Sequence, residues 1–177
     1  MRTRLLQILI LLCVLVVGTA FFFPTHQHTR PSARRASCQS NLKQIGLALQ
    51  QYSQDYDETL PSADWGTVVL PYLKSESLFQ CPETAITQGT SDYFFNARFL
   101  GSSNWNISSP KTLVLIGDGQ DDGGLNATLA QLPSSWRADE KSPAWRHLDG
   151  ANYGFADGHV RWLKVKSVNR DFRVVAR

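Results

Sequence analysis

Three patterns of apolar and polar positions follow one another along the chain. Residues 5–23, LLQILILLCVLVVGTAFFF, contain no charge. At about 1.5 Å per residue a helix of that length spans about 28 Å, close to the hydrocarbon core of a bilayer. The second pattern is a stripe: Cys38, Leu42, Ile45, Leu49, Tyr52 and Tyr56 recur at alternating intervals of four and three, which predicts an amphipathic helix. Arg35, Lys43, Gln44, Gln50 and Gln51 stay off the stripe. Pro31 fits the first turn of this helix, and Pro61 prevents it from running further.

The third pattern is a change of character. WGTVVLPYL (65–73) allows two helical turns before Pro71 disturbs them, and SESLFQCPE reads as a loop anchored by Leu78 and Phe79. From there SDYFFNARFL and TLVLIGD are short aromatic or β-branched runs bounded by Gly, Ser and Pro, which predict strands. Residues 151–163 predict a hairpin with a two-residue turn at Asp157-Gly158, pairing Phe155 with Val160, Tyr153 with Trp162 and Ala156 with His159. The expected fold class is α+β: an N-terminal transmembrane helix continuing into an amphipathic helix packed on a small antiparallel β-sheet. The expected organisation is an anchor over 1–23, a juxtamembrane linker over 24–31 and an extracytoplasmic domain over 32–177.

Composition narrows the picture. With 177 residues, 42% apolar and 19% charged, the chain can bury one ordinary core beside its apolar N-terminus. The net charge of +3 comes from basic residues scattered over 30–43 and 161–177 without interleaved aromatics, so no nucleic-acid partner is expected. Arg2 and Arg4 precede the apolar run and favour a cytoplasmic N-terminus, giving a single-pass protein of the inner membrane. Gly18-Thr19-Ala20 offers a signal peptidase small residues, but Phe21, Phe22 and Phe23 extend the run past the usual signal length, which favours retention as an anchor.

Candidate chemistry is concentrated in RHLDGANYGFADGHVRWL (146–163). The strand geometry sets His147 at the open end of the hairpin, far from Asp157, so a shared metal is not expected there. Hydrogen bonding of His147 to nearby backbone is the expected role, and His159 should lie on the mixed face of the ribbon. Gly158→Val is expected to damage folding more than His147→Ala, because the turn needs positive φ. In GDGQDDGGLN (117–126), Asp118, Asp121, Asp122 and Asn126 supply hard oxygen donors suited to calcium, although a solvated turn accounts for the same residues. No Gly-x-Ser-x-Gly elbow is present, and no enzymatic activity is expected. Cys38 on the helical stripe and Cys81 behind Leu78-Phe79 are either a disulfide pair or two small buried hydrophobes, and their separation decides between them.

Taken together, the apolar helix, its amphipathic continuation and the small sheet resemble type IV pilins and type II secretion pseudopilins. SCQSNLKQIGLALQQYSQDYDETLP (37–61), LPYLKSESLFQCPE (70–83) and residues 146–163 resemble, more narrowly, a bacterial pilin-like family with a C-terminal His-x9-Asp-Gly signature, matched by His147, Asp157 and Gly158. The resemblance implies a non-enzymatic, membrane-anchored protein that assembles with other pilin-like subunits or with secretion or pilus components, or presents its domain to cargo. It also implies calcium in the sheet region of some members. Counting back from Pro24, Gln7 stands where such proteins carry a glutamate and Arg2 where a prepilin peptidase needs glycine, so that peptidase is expected to leave this chain intact. The alternative is an exported ligand-binding domain with no link to such machinery.

Overall fold

The computed structural model describes residues 2–22, 29–84, 89–102, 109–119 and 124–174. It separates into two units, Met1–Arg30 and Pro31–Arg177. In the first, α1 (Arg2–Phe22) is a continuous helix of 21 residues. Its large apolar side chains from Leu5 to Val17 are each more than half exposed. A helix apolar on every side is stable only in an apolar medium or against other helices. By length and composition α1 suits a single membrane anchor or a signal sequence.

The second unit is mixed α and β. Its long helix α2 (Thr29–Asp55) takes Pro31 into its first turn, so residues 29–31, expected in the linker, already belong to it, while 23–28 lie outside the described residues. The predicted stripe is the buried one: Cys38, Leu42, Ile45 and Leu49 are fully covered and Ala48 joins them. Tyr56 departs from it, more than half exposed past the helix end and stacked on Tyr52 at 4.3 Å. A short helix α3 (Trp65–Val69) runs into a 3-10 turn at Leu70–Tyr72, where Pro71 stops the α-helical ladder. Trp65 is buried, and its Nε1 donates to Ala127 O at 2.9 Å.

Five strands, β1 (Tyr93–Asn96), β2 (Val114–Asp118), β3 (Thr128–Leu129), β4 (Gly150–Phe155) and β5 (Val160–Lys164), form one sheet in the order β3-β1-β2-β4-β5. All pairings are antiparallel except β1 with β3. Side chains alternate across the sheet. Tyr93, Phe95 and Ile116 pack in the cluster that holds α2. Phe94, Val114, Tyr153 and Phe155 pack in a second cluster with Leu132, Val168 and Phe172. Both faces are therefore covered, which is why β1, β2 and β4 are buried at every position.

The hairpin register differs from the expected one. Gly154 pairs with Val160, Tyr153 with Arg161, Asn152 with Trp162 and Ala151 with Leu163. Phe155 N donates to His159 O at 2.9 Å and Gly158 N to Phe155 O at 2.8 Å. The loop thus has three residues, with Gly158 alone in the left-handed region at φ 84°. This is a type I turn closed by a glycine bulge rather than a two-residue type I′ turn, which would need Asp157 at positive φ as well. The extra residue moves Trp162 to the opposite face from Tyr153. Trp162 lies there beneath the Arg35 guanidinium of α2, 5.3 Å from the ring centroid.

Candidate functional site

A buried polar cluster lies where the ends of β2 and β4 meet the loop that carries Cys81. Asp118 ends β2 and is fully buried. Its Oδ2 accepts the Asn152 backbone N–H at 2.5 Å and faces His147 Nε2 at 3.4 Å. Its Oδ1 is 4.0 Å from Arg146 Nη1 and has no hydrogen-bond partner among the described residues. Asp92, directly before β1, accepts the Cys81 N–H at 2.8 Å and the Thr84 hydroxyl at 2.5 Å through Oδ2. Arg146 reaches the same residue, donating from Nη1 to Asp92 O at 2.8 Å, with Nη2 3.8 Å from Oδ1. Two carboxylates are thus buried around one guanidinium and one imidazole. Such groups leave water at a cost that only close pairing offsets.

His147 is held in place by its own main chain. Leu148 and Asp149 both take positive φ, 52° and 64°, and His147 N donates to Gly150 O at 2.9 Å. Non-glycine residues in this region cost about 1–3 kcal/mol each and persist only where the surroundings impose them. The turn puts Leu148 in solvent and His147 inside. Trp162 Nε1 donates to His147 O at 2.8 Å and fixes the turn from β5. The bonds of His147 to nearby backbone are thus made by its main chain, while the ring faces Asp118 and, at 3.5 Å from Nε2, Cys81 Sγ.

Cys38 and Cys81 are joined by a disulfide, with Cα atoms 5.4 Å apart. The bridge ties α2 to the loop before β1, and both residues are essentially sealed from solvent. The sulfur atoms and the His147 ring lie together, with one ligand-capable atom of each within 4.8 Å of the others. A cysteine beside a histidine is the layout of a nucleophile and its base, but here the sulfur is bonded and buried. Burial, and next the Asp118 charge, push both the Tyr93 and Tyr153 hydroxyls up, so these remain neutral phenols beside the carboxylate.

The other candidate residues lie apart from this cluster in the bonds they make. Asp157 and His159 sit at the hairpin turn, where Asp157 Oδ1 accepts the His159 N–H at 3.2 Å and meets Nδ1 at 2.5 Å. His159 stacks on Phe155 with ring centroids 4.2 Å apart, so its expected partner Ala156 is replaced by the aromatic ring. Partial burial pushes the Asp157 carboxyl up, but the hydrogen bonds from His159 outweigh it and hold the group below its ordinary value. Lys43 of α2 donates to Gly158 O at 2.6 Å.

Of the four proposed calcium ligands, Asp118 is a strand residue spent on Asn152 and His147 rather than a loop donor. Asn126 accepts Thr67 N–H at 3.1 Å and donates to Asp64 at 3.3 Å. Asp121 and Asp122 lie outside the described residues. Sequence reasoning missed Asp92 and Arg146. The one local sign is that each adjoins a buried element, since isolated charges next to apolar runs must find partners on folding.

Comparison with known proteins adds one match: a family model described as a protein of unknown function, DUF1559, fits residues 27–80. That stretch holds α2, α3 and the turn leading to Cys81. No curated protein and no solved structure matches the chain.

Proposed function

We propose that the chain is a pilin-like, single-pass membrane protein that works by assembly and is not an enzyme. In this reading α1 spans the inner membrane and packs against the helices of other pilin-like subunits or of secretion or pilus components. Residues 32–177 lie outside the cytoplasm and present their loops to partners or cargo. The observation that carries the reading is α1, whose apolar side chains are exposed on every side and are satisfied only by lipid or by other apolar helices. The family matched over 27–80 is typical of prepilin- and pseudopilin-like proteins, which supports the same reading.

The natural thiol Cys13, exposed on α1, provides the test. In isolated membranes, oxidative cross-linking of the full chain should give a covalent pair that Cys13→Ser abolishes, with single cysteines at neighbouring α1 positions covering other registers. Intact mass should show an N-terminus upstream of the apolar run and unmethylated. A chain in the soluble fraction starting near Phe21 would overturn anchoring and favour an exported binding domain, and a methylated start at Thr3 would show that Arg2 does not block prepilin peptidase. Absence of cross-links at every position and to every partner would end the assembly reading.

A further inference from the structure

We propose that, when the Cys38–Cys81 bridge is open, Cys38, Cys81, His147 and Asp118 form a binding site for one zinc-class divalent cation. The donor set is right for such an ion: thiolate and imidazole with one carboxylate suit Zn2+, while Mg2+ and Ca2+ require oxygen throughout. The spacing is right as well. Around a tetrahedral Zn2+ with bonds of about 2.3 Å to sulfur and about 2.0–2.1 Å to nitrogen and oxygen, the sulfur–nitrogen edge is about 3.5 Å and the nitrogen–oxygen edge about 3.4 Å. The observed Cys81 Sγ to His147 Nε2 separation is 3.5 Å, and His147 Nε2 to Asp118 Oδ2 is 3.4 Å. Two edges of the polyhedron are thus already formed.

All four residues are at most 1% exposed, and Asp118 Oδ1 has no hydrogen-bond partner among the described residues of the bridged structure. A buried carboxylate oxygen without a donor is costly, and a cation held at the neighbouring Oδ2 would neutralise charge on the same carboxylate. The donors are also held from behind: Asn152 N–H on Asp118, Asp92 on the Cys81 backbone, and Trp162 on the His147 carbonyl. The sulfurs must move, and Asp118 Oδ2 must close on them, since the close group comprises Cys38, Cys81 and His147. The sulfurs part from bonded contact to about 3.8 Å, the sulfur–sulfur edge of the same tetrahedron, which rotation about a cysteine Cα–Cβ bond supplies.

Bridge and ion are mutually exclusive states of one site. Opening the bridge consumes one dithiol, which is oxidised to a disulfide as two electrons and two protons pass to the Cys38 and Cys81 sulfurs. Binding the cation then releases the two thiol protons to solvent. The Arg146 guanidinium, 4.0 Å from Asp118 Oδ1, offsets the negative charge that two thiolates and a carboxylate leave around a divalent ion.

The test uses the full chain in detergent, reduced with a phosphine in denaturant, refolded without oxidant and titrated with Co2+ and then Zn2+. One equivalent of Co2+ should bind, with intense tetrahedral ligand-field bands and thiolate-to-cobalt charge transfer from two sulfurs, and Zn2+ should displace it. The bridged chain should show neither band. His147→Ala and Asp118→Asn should each weaken binding about 10-fold or more. Should His147→Ala not fold, the fold being read by circular dichroism, His147→Gln takes its place. Binding that survives bridge formation, binding unchanged by both substitutions, or a reduced chain that takes up no Co2+ whether folded or not, would each overturn the site.

Discussion

His147 owes its position to two residues in left-handed conformations and its surroundings to a carboxylate 29 positions earlier in the chain. Removing the ring in His147→Ala leaves Asp118 buried with one partner fewer. Taking one partner from a buried charged group costs upwards of about 1–3 kcal/mol, and the vacated ring leaves a cavity besides. Gly158→Val instead forces a β-branched residue to φ 84°, a strain of about 1–3 kcal/mol, and its Cβ would meet only the movable end of Gln50. Denaturant melts of residues 31–177 should therefore rank His147→Ala as the more damaging substitution, the reverse of the order that the turn alone suggests. Greater loss in Gly158→Val would mean that the Asp118–His147 contact contributes little. The neighbouring Asp157 has a simpler signature. Because its carboxyl is held below the ordinary value, its contribution is present above the unfolded pKa of about 3.9 and is lost as pH falls through the lowered folded value. The stability gap between parent and Asp157→Asn should be constant near neutrality and close on acidification. A gap that instead widened in acid would contradict the His159 hydrogen bonds as its source.

At the scale of elements, the bridge joins α2 to the Cys81 loop across 43 residues. In the chain-entropy treatment a loop of that size contributes about 4 kcal/mol. Replacing both cysteines with alanine in residues 31–177 should lower the unfolding free energy by about that amount, read from urea midpoints at unchanged slope. A change well under about 1 kcal/mol would show that residual structure in the unfolded chain already keeps the two segments close. Much of the element pattern was legible in the sequence, for a physical reason: α2 buries one stripe and the strands are dense in aromatic and branched residues, so local periodicity reports burial. β3 was not legible, because two residues paired in parallel with β1 carry no alternation. The hairpin was found but misregistered, since Asp-Gly serves both a two-residue turn and a bulged three-residue one, and only the surrounding packing selects between them. The His147 cluster was illegible for a different reason. Asp92, Asp118 and Arg146 come from separate elements, and no spacing rule links them. The positive φ values of Leu148 and Asp149 are likewise imposed by tertiary contacts.

At the scale of the whole molecule, the two units present different surfaces. α1 presents apolar side chains outward, while the second unit covers both faces of its sheet and keeps its ionic groups either paired inside or on the surface. The sealed position of the bridge carries a temporal consequence. Cys38 and Cys81 lie far ahead of His147 in the chain, and both sulfurs end beside its ring, which in turn faces Asp118. Under the proposed export of this domain behind its N-terminal helix, the two thiols would reach the far side before the segment that covers them. There they would be open to a thiol oxidant until β2 and the 146–150 turn arrive. Under the export and the two-state site proposed above, a thiol pair still unbridged when the sheet closes would be locked away from the oxidant, and the order of emergence along the sequence would set which form of the domain is made.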